Sequence, residues 1–297
     1  MPALTTLLRV PSGPVEIAVH ATGEPDGRRP VAVLLHGTGY VAQVWADVVP
    51  HLARTHTVLS IDRRGHGMSG QAAGGYEFSD FADDLCAVVD ALGIQDALGV
   101  GHSAGATDLL LAAARRPGAF SRLFTVEPTA MVPREGVLEQ ELGKLPRAVV
   151  VKVQRRRNAF PSRQEALGHL SRTAGFAGWQ DGGLRAFGDF GLVERDGAVY
   201  LRCHPESEAA MLRPIFHVME QSYTRSEVFA PLRELRMPVC VASCANSEPV
   251  YAPMVAAARE LIPAARHLTF PTGHCVAQQD PDLFASAVLD FAATRST

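Results

Sequence analysis

The chain predicts an α/β fold, with a mostly parallel central sheet and helices on both faces. Three observations lead there. The first is a series of short, largely apolar runs, Val31–Leu35, Thr57–Ile61, Ala97–Val100 and Arg122–Val126. Strands buried on both faces of a parallel sheet read this way rather than alternating. The second is the helical spacing between them: residues 78 to 92 place apolar side chains at 78, 81, 85, 88, 89 and 92, one stripe of an amphipathic helix. The third is the pentapeptide Gly101-His102-Ser103-Ala104-Gly105, lying between a strand-like run and an apolar helical run, Ala106–Ala114. Strands alternating with helices imply βαβ units. Ligands of such sheets sit beyond the C-terminal strand ends, where His36, Ser103 and Glu127 all fall.

Taken in order, residues 1–30 read as an entry hairpin: Val15–His20 alternates, and Gly23–Pro30 is a Gly/Pro/Asp-rich turn region. The run Val31–Leu35 ends in His36-Gly37-Thr38-Gly39, a backbone turn able to expose amide groups at the sheet edge. Val44–Arg54 reads as a helix and Thr57–Ile61 as a strand, followed by the loop Asp62-Arg63-Arg64-Gly65-His66-Gly67-Met68-Ser69. Asp62 and Arg64 are expected to tie that loop down, and His66 is a secondary candidate for holding water or substrate. Arg122–Val126 is a strand closed by Glu127-Pro128.

Residues 131–230 break this rhythm. Leu138–Val153, Ser162–Thr173 and Glu206–Tyr223 read as helices joined by Gly-rich links, with one alternating piece, Ala198–Arg202. The basic run Arg155-Arg156-Arg157 is expected on a solvated helix face; the sharper expectation is that one such arginine meets a substrate carboxylate. Then Pro238–Ala242 is a strand, Pro253–Leu261 a helix, His267–Phe270 a last strand, and Asp280–Arg295 a terminal helix with Pro281 as its start signal.

Composition limits the function classes. At 297 residues, with 47% hydrophobic and 20% charged residues, the chain suits one large domain or a core with an insertion. A formal charge of −3 gives no reason to expect nucleic acid or an anionic membrane. No apolar run approaches the roughly eighteen residues of a membrane span, and the N-terminus lacks the features of a signal peptide. Five scattered cysteines, Cys86, Cys203, Cys240, Cys244 and Cys275, show neither metal spacing nor an even disulfide count. The expectation is a cytoplasmic protein with a small-molecule substrate, no metal and no cofactor; a homodimer is left open.

Strand, tight turn and helix are the setting that makes a G-x-S-x-G sequence a nucleophile elbow. The turn lifts the serine hydroxyl clear of the sheet, bulk at 101 or 105 would clash with the neighbouring strand and helix, and the helix N-terminus aims free N–H groups at a forming oxyanion. The motifs His36-Gly37-Thr38-Gly39, Asp62–Gly67, Gly101–Gly105 and Gly273-His274 occur in the order of the α/β-hydrolase fold family, which the chain resembles over residues 31–130 and 237–295. The resemblance implies a core of residues 1–130 and 231–297, a mainly helical cap at 131–230, and a Ser–acid–His triad without a cofactor. Ser103 is then the nucleophile and His274 the base, with Thr38 and Ala104 N–H as the oxyanion hole and His36, Gly37 and His102 as pocket candidates.

The acid is harder to place. The family usually carries it after the post-cap strand, where Ser243–Glu248 contains no aspartate and only Glu248. Some branches carry it at the end of the strand after the elbow helix, as Glu127 would be, 24 residues beyond Ser103. A carboxylate ending an apolar strand is otherwise costly to bury, and Glu127 is preferred, with Glu248 the alternative and an ion pair with an arginine the structural explanation. Serine at the elbow suits acyl transfer. The expectation is hydrolysis of an ester or lactone. Carbon–carbon cleavage of a diketone, a biosynthetic acyltransferase or cyclase, and a non-catalytic ligand receptor are the other readings.

Overall fold

The computed structural model describes residues 5–23, 29–129, 145–220 and 228–294. Its main sheet has eight strands: β1 (Thr5–Ser12), β2 (Val15–Thr22), β3 (Val31–Leu35), β4 (Thr57–Ile61), β5 (Ala97–His102), β6 (Phe120–Val126), β10 (Val239–Cys244) and β11 (Arg266–Phe270). They lie in the order β1-β2-β4-β3-β5-β6-β10-β11. The hairpin β1–β2 and the β2–β4 pair are antiparallel, and every pair from β4 to β11 is parallel. The hairpin turns at Gly13-Pro14, and residues 24–28 of the expected turn region from Gly23 to Pro30 lie outside the described residues.

Two hydrophobic layers sandwich the sheet, and β3 shows why its sequence is apolar throughout. With side chains alternating between faces, Val33 and Leu35 join one layer and Ala32 and Leu34 the other. The first layer is closed by α2 (Phe78–Leu92), α3 (Ala104–Arg115) and α8 (Tyr251–Leu261), through residues such as Leu85, Leu109 and Val255. The second is closed by the short α9 (Val276–Gln279), by α10 (Pro281–Ala293), whose Phe284 and Phe291 meet Phe124 of β6 edge to face, and by Trp45 before the short α1 (Val49–Leu52). Full burial of a side chain such as Phe284 contributes about 1.5–3 kcal/mol. Local signals fix the helix starts. Glu77 and Asp80 form a reciprocal capping box on α2, and Asp280 accepts from Leu283 N–H ahead of Pro281 on α10.

The helix expected over Val44–Arg54 is broken. A 3-10 turn covers Ala42–Trp45 and the α-helix holds only Val49–Leu52. Pro50 has no N–H and would meet a carbonyl one turn back, so it is accommodated only at a helix start.

The 145–220 stretch contains α4 (Leu145–Gln154), β7 (Ala159–Phe160), α5 (Arg163–Leu170), α6 (Asp181–Phe190), β8 (Leu192–Arg195), β9 (Ala198–Leu201) and α7 (Pro205–Glu220). Residues 138–144 and 221–223, the ends of two expected helices, lie outside the described residues. Two features depart from a helical reading. The alternating piece near residue 200 is the centre of a three-stranded antiparallel sheet, β7-β9-β8, and α6 was not expected because Gly182, Gly183 and Gly188 weaken its helical signal. Two of those glycines are steric requirements. A Cβ on Gly182 would meet the Asp47 carboxylate at 2.0 Å, and one on Gly188 would meet Leu167 at 2.7 Å.

All five cysteines are free and buried. No helix among the described residues is long and apolar enough to cross a membrane.

Candidate active site

Ser103 stands between β5 and α3 with φ 55° and ψ −126°, a region that non-glycine residues avoid and that stores about 1–3 kcal/mol. The strain is held from both sides. Ser103 N–H donates to Val126 O at 2.9 Å, and Ser103 O accepts from Ala106 N–H at 3.0 Å. The flanking glycines leave the room this turn needs: a Cβ on Gly101 would lie 2.5 Å from Ala106 Cα, and one on Gly105 would lie 2.4 Å from His36 O.

Glu127 also has positive φ, at 44°. Its N–H donates to Ala242 O at 2.9 Å, which anchors the end of β6 to β10 and swings the side chain across the sheet edge. The carboxylate is buried and collects three donors. Cys244 N–H reaches Oε1 at 2.9 Å, Ser247 Oγ–H reaches Oε2 at 2.7 Å, and His274 Nδ1–H reaches Oε2 at 2.6 Å. Such charge-assisted bonds replace the water that a buried carboxylate has lost. Because Nδ1 is the donor, Nε2 of His274 is left as the acceptor. Glu248, by contrast, is exposed: its carbonyl accepts Tyr251 N–H at 3.1 Å, and its carboxylate reaches Tyr251 and Cys275 through its charge.

Three further histidines are neutral braces. His36 Nδ1–H donates to Gly37 O at 2.8 Å while its Nε2 accepts Arg63 N–H at 3.2 Å. His66 Nδ1–H donates to Arg64 O at 2.9 Å, and its Nε2 accepts Gly39 N–H at 2.9 Å. Both rings are wholly buried with both nitrogens engaged, so neither offers a group to water or substrate. His102 Nε2–H donates to His274 O at 2.9 Å, which ties the residue beside Ser103 to the His274 backbone. Burial holds all three well below the ordinary histidine range. The neighbouring His66 adds to this at His36, Arg63 adds to it at His66, which falls to about 3, and His274 adds to it at His102.

The turn at Gly37-Thr38 is fitted to Ser103: a Cβ on Gly37 would lie 3.1 Å from Ser103 Cβ. Thr38 and Ala104 line one small pocket together with Arg63, Asp108, Met211 and Pro214. Arg63 Nε donates to Asp108 at 2.5 Å and its Nη1 to Thr38 Oγ1 at 3.1 Å, joining the 37–39 turn to α3. Burial pushes the Asp108 carboxyl up, against the pull of Arg63. Asp62 and Arg64 are structural, as expected from the sequence. Asp62 accepts Ala42 and Met68 N–H groups and pairs with His20, and Arg64 forms a two-bond fork with Asp84.

The basic run divides. Arg157 pairs with Glu165 at an exposed site, whereas Arg156 pairs with Glu208, whose buried carboxylate lies against Gly39 and is pushed up by burial. Three parts of the site escaped sequence reading: Ser247, Tyr251 stacked on His274, and the Arg63–Asp108–Thr38 link. Ser247 lies in the stretch searched for an acid, but a hydroxyl that supports an acid placed elsewhere carries no local signal.

The parallel sheet and the strained serine turn at its C-terminal edge are features of the alpha/beta hydrolases. The chain belongs to that family, whose model matches residues 32–287. It is similar to 2-(acetamidomethylene)succinate hydrolase of Mesorhizobium japonicum, 31% identical over 111 residues, which is 37% of this chain and 40% of that protein. It is also similar to a bifunctional esterase/perhydrolase of Acinetobacter calcoaceticus, 37% identical over 110 residues, 36% of this chain and 40% of that protein. The chain thus matches 40% of the length of either relative. The crystal structure of E-2-(acetamidomethylene)succinate hydrolase superposes with a TM-score of 0.81 over 98% of this chain and 100% of that one, at 22% identity. That likeness is one of fold.

Proposed function

We propose that the protein is a serine hydrolase that cleaves a carboxylic ester or lactone through an acyl-enzyme, with Ser103 as nucleophile, His274 as base and Glu127 as the acid that orients it. The observation that carries this is the 2.6 Å bond from His274 Nδ1 to a buried Glu127, at the sheet edge where the strained Ser103 turn stands. A relative that bears an esterase name supports the reaction class.

In this reading His274 Nε2 takes the Ser103 proton as Oγ bonds to the substrate carbonyl carbon. Glu127 stabilises the imidazolium so formed. The carbonyl oxygen, now negative, accepts from Thr38 and Ala104 N–H. The helix start leaves Ala104 N–H without an intrahelical acceptor, and preorganised donors of this kind contribute roughly 3–4 kcal/mol each to the transition state. The carbon–oxygen bond to the leaving group then breaks and the alkoxide takes the proton from His274. Water repeats the sequence on the acyl-enzyme, releasing the acid and restoring Ser103.

The test is labelling with a fluorophosphonate probe and peptide mapping, on the native protein and on Glu127→Gln and Glu248→Gln. Modification of Ser103, slowed only in Glu127→Gln, supports the assignment. Slowing only in Glu248→Gln moves the acid, and an unlabelled native protein overturns the reading. Turnover of p-nitrophenyl esters separates ester hydrolysis from the other chemistries the same groups could serve.

A further inference from the structure

The His274 imidazole is held by more than Glu127. The Tyr251 ring lies parallel to it, with centroids 3.8 Å apart and planes 11° apart, and the His102 ring is 4.5 Å away at a 50° tilt. Tyr251 is the first residue of α8. The loop before it supplies Cys244 N–H and Ser247 Oγ–H to Glu127. One stretch, residues 244–251, therefore grips Glu127 through hydrogen bonds and His274 through a ring face.

We propose that Tyr251 is a positioning residue for His274: its ring fixes the plane in which Nδ1–H points at Glu127, and its electron-rich face stabilises the imidazolium formed during turnover. This rests on the reading of Ser103, His274 and Glu127 given above. An aromatic face attracts a cation through its quadrupole, and a flat stack restricts ring rotation without consuming either nitrogen. Nε2 stays free to meet the Ser103 proton.

The charged and titratable groups around this stack come from five places. Glu127 follows β6 and His102 ends β5; Glu248 lies on the loop before α8; Cys275 follows His274; and Tyr40, after the Gly37–Gly39 turn, bonds Cys275 and faces Tyr251 and His102. Burial keeps His102 neutral and pushes the Cys275 thiol up to about 11. Burial likewise raises the Tyr251 hydroxyl, with Glu248 adding to it, so the stacked ring is the neutral phenol. Replacing the Tyr251 ring leaves every one of these groups in place.

The experiment is the rate of fluorophosphonate labelling of Ser103 against pH, for the native protein, Tyr251→Phe, Tyr251→Leu and Tyr251→Met. Without the ring face, Leu and Met should slow labelling about three- to tenfold, the size aromatic pairs reach in double-mutant cycles. The imidazolium loses a stabiliser, so the neutral base persists to lower pH and the acid limb moves down by about half to one unit. Phe, which keeps the face, should recover both. A Leu or Met variant with native circular dichroism and an unmoved limb overturns the role of Tyr251, as does a Phe variant impaired as much as Leu. A native protein that does not label at Ser103 overturns the underlying triad instead, so the two failures are distinguishable.

Discussion

A single methyl group is enough to test the serine turn. On Gly105 it would sit 2.4 Å from His36 O and 2.7 Å from Leu35 O, backbone atoms with no freedom to withdraw. Gly105→Ala should cost about 1–3 kcal/mol, seen as a lower midpoint in thermal unfolding, and should displace Ser103 enough to abolish labelling. Ser103→Ala should leave the unfolding midpoint near native while removing all fluorophosphonate labelling, because the change deletes one oxygen atom. Glu127→Gln tests the buried acid. With the wrong hydrogen-bonding pattern offered to His274, turnover of p-nitrophenyl esters should fall by about 10⁴-fold, as in other triads that lose their acid. At this scale the strained Ser103 turn and the candidates His274 and Glu127, which the structure brings into contact, were legible, because a glycine-flanked serine, a Gly-His loop and a carboxylate closing an apolar strand each break a local pattern. Ser247, Tyr251 and Arg63 were not. Their significance lies in what they touch across the fold, at sequence separations such as the 120 residues between Ser247 and Glu127.

Among the elements, the loop after β4 shows how a flexible sequence is made rigid. Arg64 forks onto Asp84 of α2 with bonds of 2.6 and 2.8 Å, both side chains buried. Asp84→Asn would leave that guanidinium without its counter-charge, a loss of about 3–5 kcal/mol that urea unfolding should register. A drop below about 1 kcal/mol would show that Asp80, 3.7 Å from Arg64, takes over. Strongly periodic elements were readable. The helix expected over Phe78–Leu92 has those boundaries, and the β3 and β4 runs form strands over their full lengths. The misses have separate causes. Pro50 forced a fresh helix start at Val49 within a stretch that hydrophobic spacing alone would read as one helix. In α6 the glycines that weaken helix propensity are the residues that let it approach Asp47 and Leu167. Tertiary contact decided there what local preference could not.

Across the whole molecule, buried histidines set the response to acid. His36, His66 and His102 are each held below the ordinary histidine value near 6.5 by burial first. The unfolded chain takes up those protons as pH falls through 6.5, while the folded chain does not. Folding free energy therefore drops as pH falls below that point, by about 1 kcal/mol per histidine at pH 5.5 relative to pH 7.5. The raised carboxyls of Asp108 and Glu208 oppose this, since the fold binds their protons more readily than the unfolded chain. Burial lowers the more exposed His56 and His267 as well, so a net loss toward acid is expected, and urea midpoints at the two pH values measure it. An unchanged midpoint would mean that the carboxyls offset the buried histidines in full, which would overturn the expected net loss. The placement of Glu127 at the end of β6 has one more consequence, for synthesis on the ribosome. Ser103 and Glu127, the proposed nucleophile and acid, both emerge within the first half of the chain, but Glu127 is gripped only after residues 244–247 exist, and His274, the proposed base, comes later still. If the proposed roles hold, a nascent or prematurely ended chain carries Ser103 without the base proposed to deprotonate it, and reactivity toward a carbonyl arrives only with the final strand and the loop that follows.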